Sequence, residues 1–214
     1  MGSYNFTSDW FSEYAPDWIK AMLSCGIEIG ARRNILELGS FEGRSACWMS
    51  DNLLDHPDST LTCVDTFCGT PEFGTMFSAI FTHARSSLHD RFVRNIANSK
   101  NARKVRTFIT TTEKYLDEIQ DDGFQFDLIY VDAGHFEHEA YYDGLASYNV
   151  LRPGGILVFD DYLWAPHFGF PVKTAVNRLE KELPMRLLHD GWQRIYQKPI
   201  QQRLRHDQRN LAFG

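Results

Sequence analysis

The sequence predicts an α/β fold, in which a mostly parallel sheet is covered by helices on both faces within one domain. Three observations lead there. Short apolar runs alternate with helix-patterned segments along the whole chain. The first run ends in an acid and a glycine turn that opens a helix, and three later runs end in aspartates. The 214 residues suit a single compact domain with a substantial core.

Residues 1–24 carry Tyr4, Phe6, Trp10, Phe11, Tyr14 and Trp18, and read as a helical cap over the ligand edge of the sheet. The buried strands that follow are Asn34–Leu38, Thr60–Asp65, Val105–Thr110, Phe126–Val131 and Gly155–Asp160. Between them, Ser45–Leu54, Phe77–Asn98, Thr112–Ile119 and Glu137–Val150 carry helical patterns. Phe67–Phe81 holds Gly69, Pro71 and Gly74 among aromatics and reads as a lid loop. Val172–Leu183 is expected to be a helix set between Pro171 and Pro184. Met185–Leu188 and Trp192–Tyr196 flank His189-Asp190-Gly191, a hairpin signal. The stretch from 200 to 214 is a polar tail, and neither a repeat nor a low-complexity tract interrupts the chain.

The formal charge of −6 argues against a nucleic-acid surface. Arg203, Arg205 and Arg209 read as a solvated end. Cys25, Cys47, Cys63 and Cys68 form no C-x-x-C pair, which suggests reduced thiols and a cytoplasmic protein. No run suits a bilayer span, and the N-terminus is too polar for a signal peptide. Phe6 stands where a myristoylation signal needs Ser or Thr.

The run Ile35-Leu36-Glu37-Leu38-Gly39-Ser40-Phe41-Glu42-Gly43-Arg44-Ser45-Ala46 has the order of a strand–loop–helix nucleotide site. Glycines let backbone approach a ligand, and a helix start offers free N–H groups. Phe41 occupies the position where the dinucleotide G-x-G-x-x-G pattern needs its second glycine, which disfavours a nicotinamide oxidoreductase. Asp65, ending the second strand, is placed to hold a ribose diol. Thr112, in Thr110-Thr111-Thr112-Glu113, either caps the next helix or bonds an adenine edge.

Glu37 and the Gly39-to-Gly43 spacing resemble motif I of class I S-adenosylmethionine-dependent methyltransferases. The resemblance implies a Rossmann-like, seven-stranded sheet with a C-terminal antiparallel hairpin. It also implies a donor site made by Glu37, Gly39, Ser40, Phe41, Gly43, Ser45, Asp65, Thr66, Thr112 and Asp132. Glu37 would lie near the methionine amino group, or would hold the loop in shape.

Asp132, Asp160 and Asp161 end strands four and five at the ligand edge of the sheet. Carboxylates converging there repel one another, and a divalent cation such as Mg²⁺ relieves the conflict. The acid followed by an Asp-Asp pair resembles the metal site of catechol O-methyltransferase-like and macrolide-sugar O-methyltransferases. In those families a residue three places after the first acid removes the hydroxyl proton, and here that residue is His135. His138 competes as a base. Trp164, His167 and Phe168 are expected to line the acceptor pocket.

The resemblance covers approximately residues 30–200. It implies metal-dependent methylation of a hydroxyl on a small sugar, polyketide or phenolic metabolite. A metal-independent methyltransferase and a non-catalytic donor-binding module stay open as alternatives, as does a homo-oligomer. Neither a nucleic-acid partner nor a membrane is expected.

Overall fold

The computed structural model describes residues 3–69, 88–165, 169 and 171–200. Seven strands form one sheet: β1 (Asn34–Leu38), β2 (Thr60–Asp65), β3 (Val105–Ile109), β4 (Phe126–Val131), β5 (Leu151–Phe159), β6 (Arg186–Asp190) and β7 (Arg194–Gln197). Their order is β3-β2-β1-β4-β5-β7-β6. The first five strands run parallel, and β7 and β6 return antiparallel. The helices are α1 (Ala15–Ser24), α2 (Arg44–Leu53), α3 (Leu88–Asn98), α4 (Thr112–Ile119), α5 (Glu137–Val150) and α6 (Pro171–Glu182).

The near-continuous apolar character of the central strands follows from burial on both faces. In β1 all five residues are buried, and the two-residue period divides them between two cores. Ile35 joins Trp18, Met22, Met49 and Phe92 beneath α1, α2 and α3. Leu36 and Leu38 face the opposite core with Leu116, Val150 and Leu179 from α4, α5 and α6. The edge strand β3 is mostly exposed, with Ile109 left open to solvent.

Three boundaries depart from the expectations. The fifth strand begins at Leu151 because Leu151 already pairs with Phe126, ahead of a register shift in β4. The Gly154 and Gly155 backbone also bonds Lys198, which extends the ladder. The hairpin turn falls at 191–193, because Asp190 pairs with Arg194 across it. The N-terminal cap contains one helix among the described residues, with Pro16 in its first turn. Residues 4–9 carry no regular structure, because their polar backbone groups are taken by side chains from the core of the domain.

Of the proposed lid, only Phe67, Cys68 and Gly69 are described, and the first half of the Phe77–Asn98 helix, His167, Phe168 and 201–214 lie outside the described residues. No helix among the described residues is long and apolar enough to cross a membrane.

Candidate active site

A cavity of about 590 Å³ opens at the carboxyl ends of β1, β2, β4 and β5. The strand order reverses between β1 and β4, the position where open α/β sheets bind ligands. The volume falls within the range of small-molecule pockets.

The glycine turn forms one wall. Gly39 has φ +84°, and a Cβ there would sit 1.9 Å from the carbonyl oxygen of Asp132. β1 and β4 can therefore close on each other only with glycine at this point, and Asp132 N–H donates to Leu38 O at 2.8 Å. Gly43, φ +83°, caps α2 against the ring of Phe92. Phe41 adopts φ +46°, a conformation costing a non-glycine residue about 1 kcal/mol.

Its backbone N–H donates to Asp65 at 2.8 Å, and that of Ser40 donates to the same oxygen at 2.7 Å. The second Asp65 oxygen accepts from Phe67 N–H at 2.6 Å. Asp65 therefore shapes the turn as well as facing the cavity.

Glu37 is fully buried behind the turn and accepts from the hydroxyls of Ser40 and Ser45. Burial pushes its carboxyl up to about 7, against the opposing pull of those hydroxyls. It is absent from the cavity wall, so of the two expected roles the geometry supports the one that holds the loop. Gly39, Ser40, Phe41, Ser45, Asp65, Thr66, Thr112 and Asp132 all line the cavity, whereas Gly43 stands behind it.

Thr111 rather than Thr112 caps α4, accepting from Lys114 N–H. Thr112 instead donates to Asp143 at 2.7 Å, and burial pushes that acid up to about 7.

At the other end, Asp132, His135 and Asp161 bring ligand atoms within 4.8 Å of one another. His135 Nε2 lies 2.7 Å from Asp161 Oδ2. Asp161 holds φ +54°, a strained conformation of the kind that clusters at functional sites.

The expected triad changes here. Asp160 is buried away from the cavity, accepting from the Tyr130 hydroxyl, from Gln193 Nε2 at 2.9 Å and from Asp161 N–H at 2.7 Å. Its lone pairs are taken by the core, and His135 stands in the third corner of the cluster. Burial, then the neighbouring Asp161, pushes Asp160 up to about 7. Burial and the charges of Asp160 and Asp161 raise Asp132 well above the usual carboxylate range.

The donor set of two carboxylates and an imidazole fits a divalent cation, with the nitrogen widening the choice beyond Mg²⁺. His138 also reaches the cavity, and Trp164 sets its ring 5.1 Å from that of His135 without lining the cavity.

Several contributors escaped the sequence reading. Tyr130, two residues before Asp132, shares its strand face, lines the cavity and sets its hydroxyl oxygen, whose proton goes to Asp160, 3.1 Å from the Asp132 carboxylate. The two-residue strand period was the available signal. Ser8 also lines the cavity, beside Phe6, Trp10 and Phe11, which the sequence places in a cap over the ligand edge.

Residues 36–162 match the sequence profile of family 24 of the methyltransferase domains. The chain belongs to this family. The fold agrees: this methyltransferase is similar to the O-methyltransferase NovP, with 20% identity, 87% of this chain and 79% of that one covered, and a TM-score of 0.63. It is also similar to an O-methyltransferase from Klebsiella pneumoniae (15% identity, 91% and 83% covered, TM-score 0.61). A third likeness is TomG from Streptomyces achromogenes, involved in tomaymycin synthesis and solved with S-adenosylmethionine (16% identity, 86% and 80% covered, TM-score 0.58). No curated protein sequence matched the chain. As a family 24 domain on the class I fold, the protein is an S-adenosylmethionine-dependent methyltransferase.

Proposed function

We propose that this methyltransferase transfers a methyl group to a hydroxyl oxygen of a small neutral metabolite, a sugar, polyketide or phenol. The observation that carries the reading is one cavity with two chemically distinct ends. The glycine turn, Asp65 and Thr112 line one end, and Asp132, His135 and Asp161 line the other. The solved likenesses that are named O-methyltransferases support oxygen as the acceptor atom.

When bound, the donor supplies an electrophilic methyl on a sulfonium centre, so attack by an alkoxide-like oxygen neutralises charge. The chain's residues prepare that attack. Ser40 and Phe41 are fixed by Asp65, which keeps the turn open to the donor. Phe6, Trp10 and Phe11 cover the cavity and exclude water. His135 accepts the hydroxyl proton, and Asp161 at 2.7 Å stabilises the resulting imidazolium. Holding hydroxyl and methyl in line supplies much of the remaining acceleration.

A second reading rests on the cluster itself: Asp132, His135 and Asp161 would hold a divalent cation. A cation there would stabilise a developing oxyanion. Nε2 either ligates the cation or, in the tautomer that leaves its lone pair free, takes the hydroxyl proton and then donates to Asp161, and the two roles separate experimentally. Turnover with labelled donor is measured on phenolic and sugar acceptors, with and without chelator. Loss restored by a divalent cation supports the second reading, and unchanged turnover supports the base alone. Calorimetry with S-adenosylhomocysteine and with NAD tests the donor site, and tight binding of NAD alone would overturn it.

A further inference from the structure

Residues 4–9 have no ladder of their own, yet this segment brings Phe6, Ser8 and Trp10 to the cavity wall. The group that holds it comes from inside the donor turn. Glu42, 2% exposed, accepts from Thr7 N–H at 2.6 Å and from the Thr7 hydroxyl at 2.7 Å. It also pairs with Arg91 of α3.

Asn95, also on α3 and 1% exposed, closes the other side. Its amide donates to the carbonyls of Glu42 at 2.9 Å and Asn5 at 3.1 Å, and its oxygen accepts from Asn5 N–H at 2.8 Å. Arg44, the residue that starts α2, donates to Ser8 O at 3.0 Å and pairs with Asp9 at 2.9 Å. The Trp10 ring rests against Phe41, with centroids 5.4 Å apart.

Every one of these anchors on the cavity side belongs to positions 41–44. Glu42 sits between two residues held at positive φ, Phe41 and Gly43. A change in the turn's backbone therefore moves the carboxylate that bonds Thr7. Hydrogen bonds to an ionised acceptor are about twice as strong as neutral ones, so Glu42 dominates the hold on a segment that has no ladder.

We propose that Glu42 is a positioning residue that couples the donor turn to the aromatic wall formed by residues 6–11. Donor binding to the turn holds the segment against the cavity, and the seated segment tightens the donor by the same factor. The proposal rests on the reading of the turn as the donor site.

The test uses the full chain and S-adenosylhomocysteine. Chymotryptic cleavage at Trp10 and Phe11 is followed by mass spectrometry, with and without saturating ligand. In the wild type the ligand slows cleavage about tenfold, within the usual range of coupling between sites. Thr7→Pro removes both donors to Glu42 from an exposed position outside the core, so it leaves folding intact.

That variant loses the ligand-dependent protection and binds the ligand more weakly by a matching factor in calorimetry. Glu42→Gln, checked by its thermal midpoint, loses part of both effects, and Glu42→Asp recovers some of the protection. Equal protection in wild type and Thr7→Pro, or none in the wild type, overturns the coupling. Absence of calorimetric binding to the wild type overturns the donor-site reading, and the coupling with it.

Discussion

His135 Nε2 lies 2.7 Å from Asp161 Oδ2, although the two residues belong to different strand ends, after β4 and β5. The pair gives the imidazole a fixed orientation and a counter-charge for the protonated form. His135→Ala is expected to lower kcat by about 10²–10⁴-fold, the usual span for a general base. Affinity for S-adenosylhomocysteine, measured by calorimetry, should stay within a few-fold of wild type. Retained turnover removes His135 from the base role.

The split of the acid pair gives a second expectation. Asp161 points toward Asp132 and His135, whereas Asp160 is bonded to Tyr130 and Gln193. In a Mn²⁺ titration followed by electron paramagnetic resonance, Asp161→Asn should weaken binding far more than Asp160→Asn. The latter should show itself as a loss of stability, because the amide nitrogen of Asn would face a donor that a carboxylate oxygen accepted. Equal loss of Mn²⁺ affinity in the two variants would return Asp160 to the cation site.

Gly39→Ala tests the crossing of β1 and β4. The added Cβ meets backbone at 1.9 Å and sits at φ +84°, so neither rotation nor a flexible neighbour relieves it. A destabilisation of roughly 3 kcal/mol or more is expected in urea unfolding, in the range of severe backbone and overpacking effects. Ligand binding at the turn should be lost in parallel.

Asp143 gives a pH dependence with a defined sign. Its folded pKa of about 7 stands above the ordinary carboxylate value of 3.8 because burial disfavours the charged form. Between those values the folded state keeps a proton that the unfolded chain releases, so this group makes stability fall as pH rises, and the penalty is constant above about 7. Asp143→Asn, which keeps an acceptor for Thr112, should gain stability relative to wild type as pH moves from 5 to 8. Over that range the gain is at most about 3 kcal/mol. A wild-type-minus-variant difference that does not change with pH would falsify the shift.

The chain order of the site was legible because each part is local. Gly39 to Gly43, Asp65 and Asp132 are set by the ends of apolar runs, and strand ends in a parallel sheet converge at one edge. What stayed hidden depends on partners remote in sequence. Asp160 and Asp161 are adjacent and identical in type, and only Tyr130 and Gln193 determine which one turns into the core. Thr111 and Thr112 divide capping and Asp143 binding for the same reason.

By itself the sequence determined the alternating α/β order, the hairpin and the glycine turn, because hydrophobic period and φ preference act over a few residues. Tertiary structure alone decided that Glu37 braces the turn, that His135 takes Asp160's place beside Asp132, and that Glu42 holds an irregular N-terminal segment over the cavity. Those outcomes come from competition among buried polar groups for a limited number of hydrogen-bond partners. The winners are set by three-dimensional proximity, which no local pattern encodes.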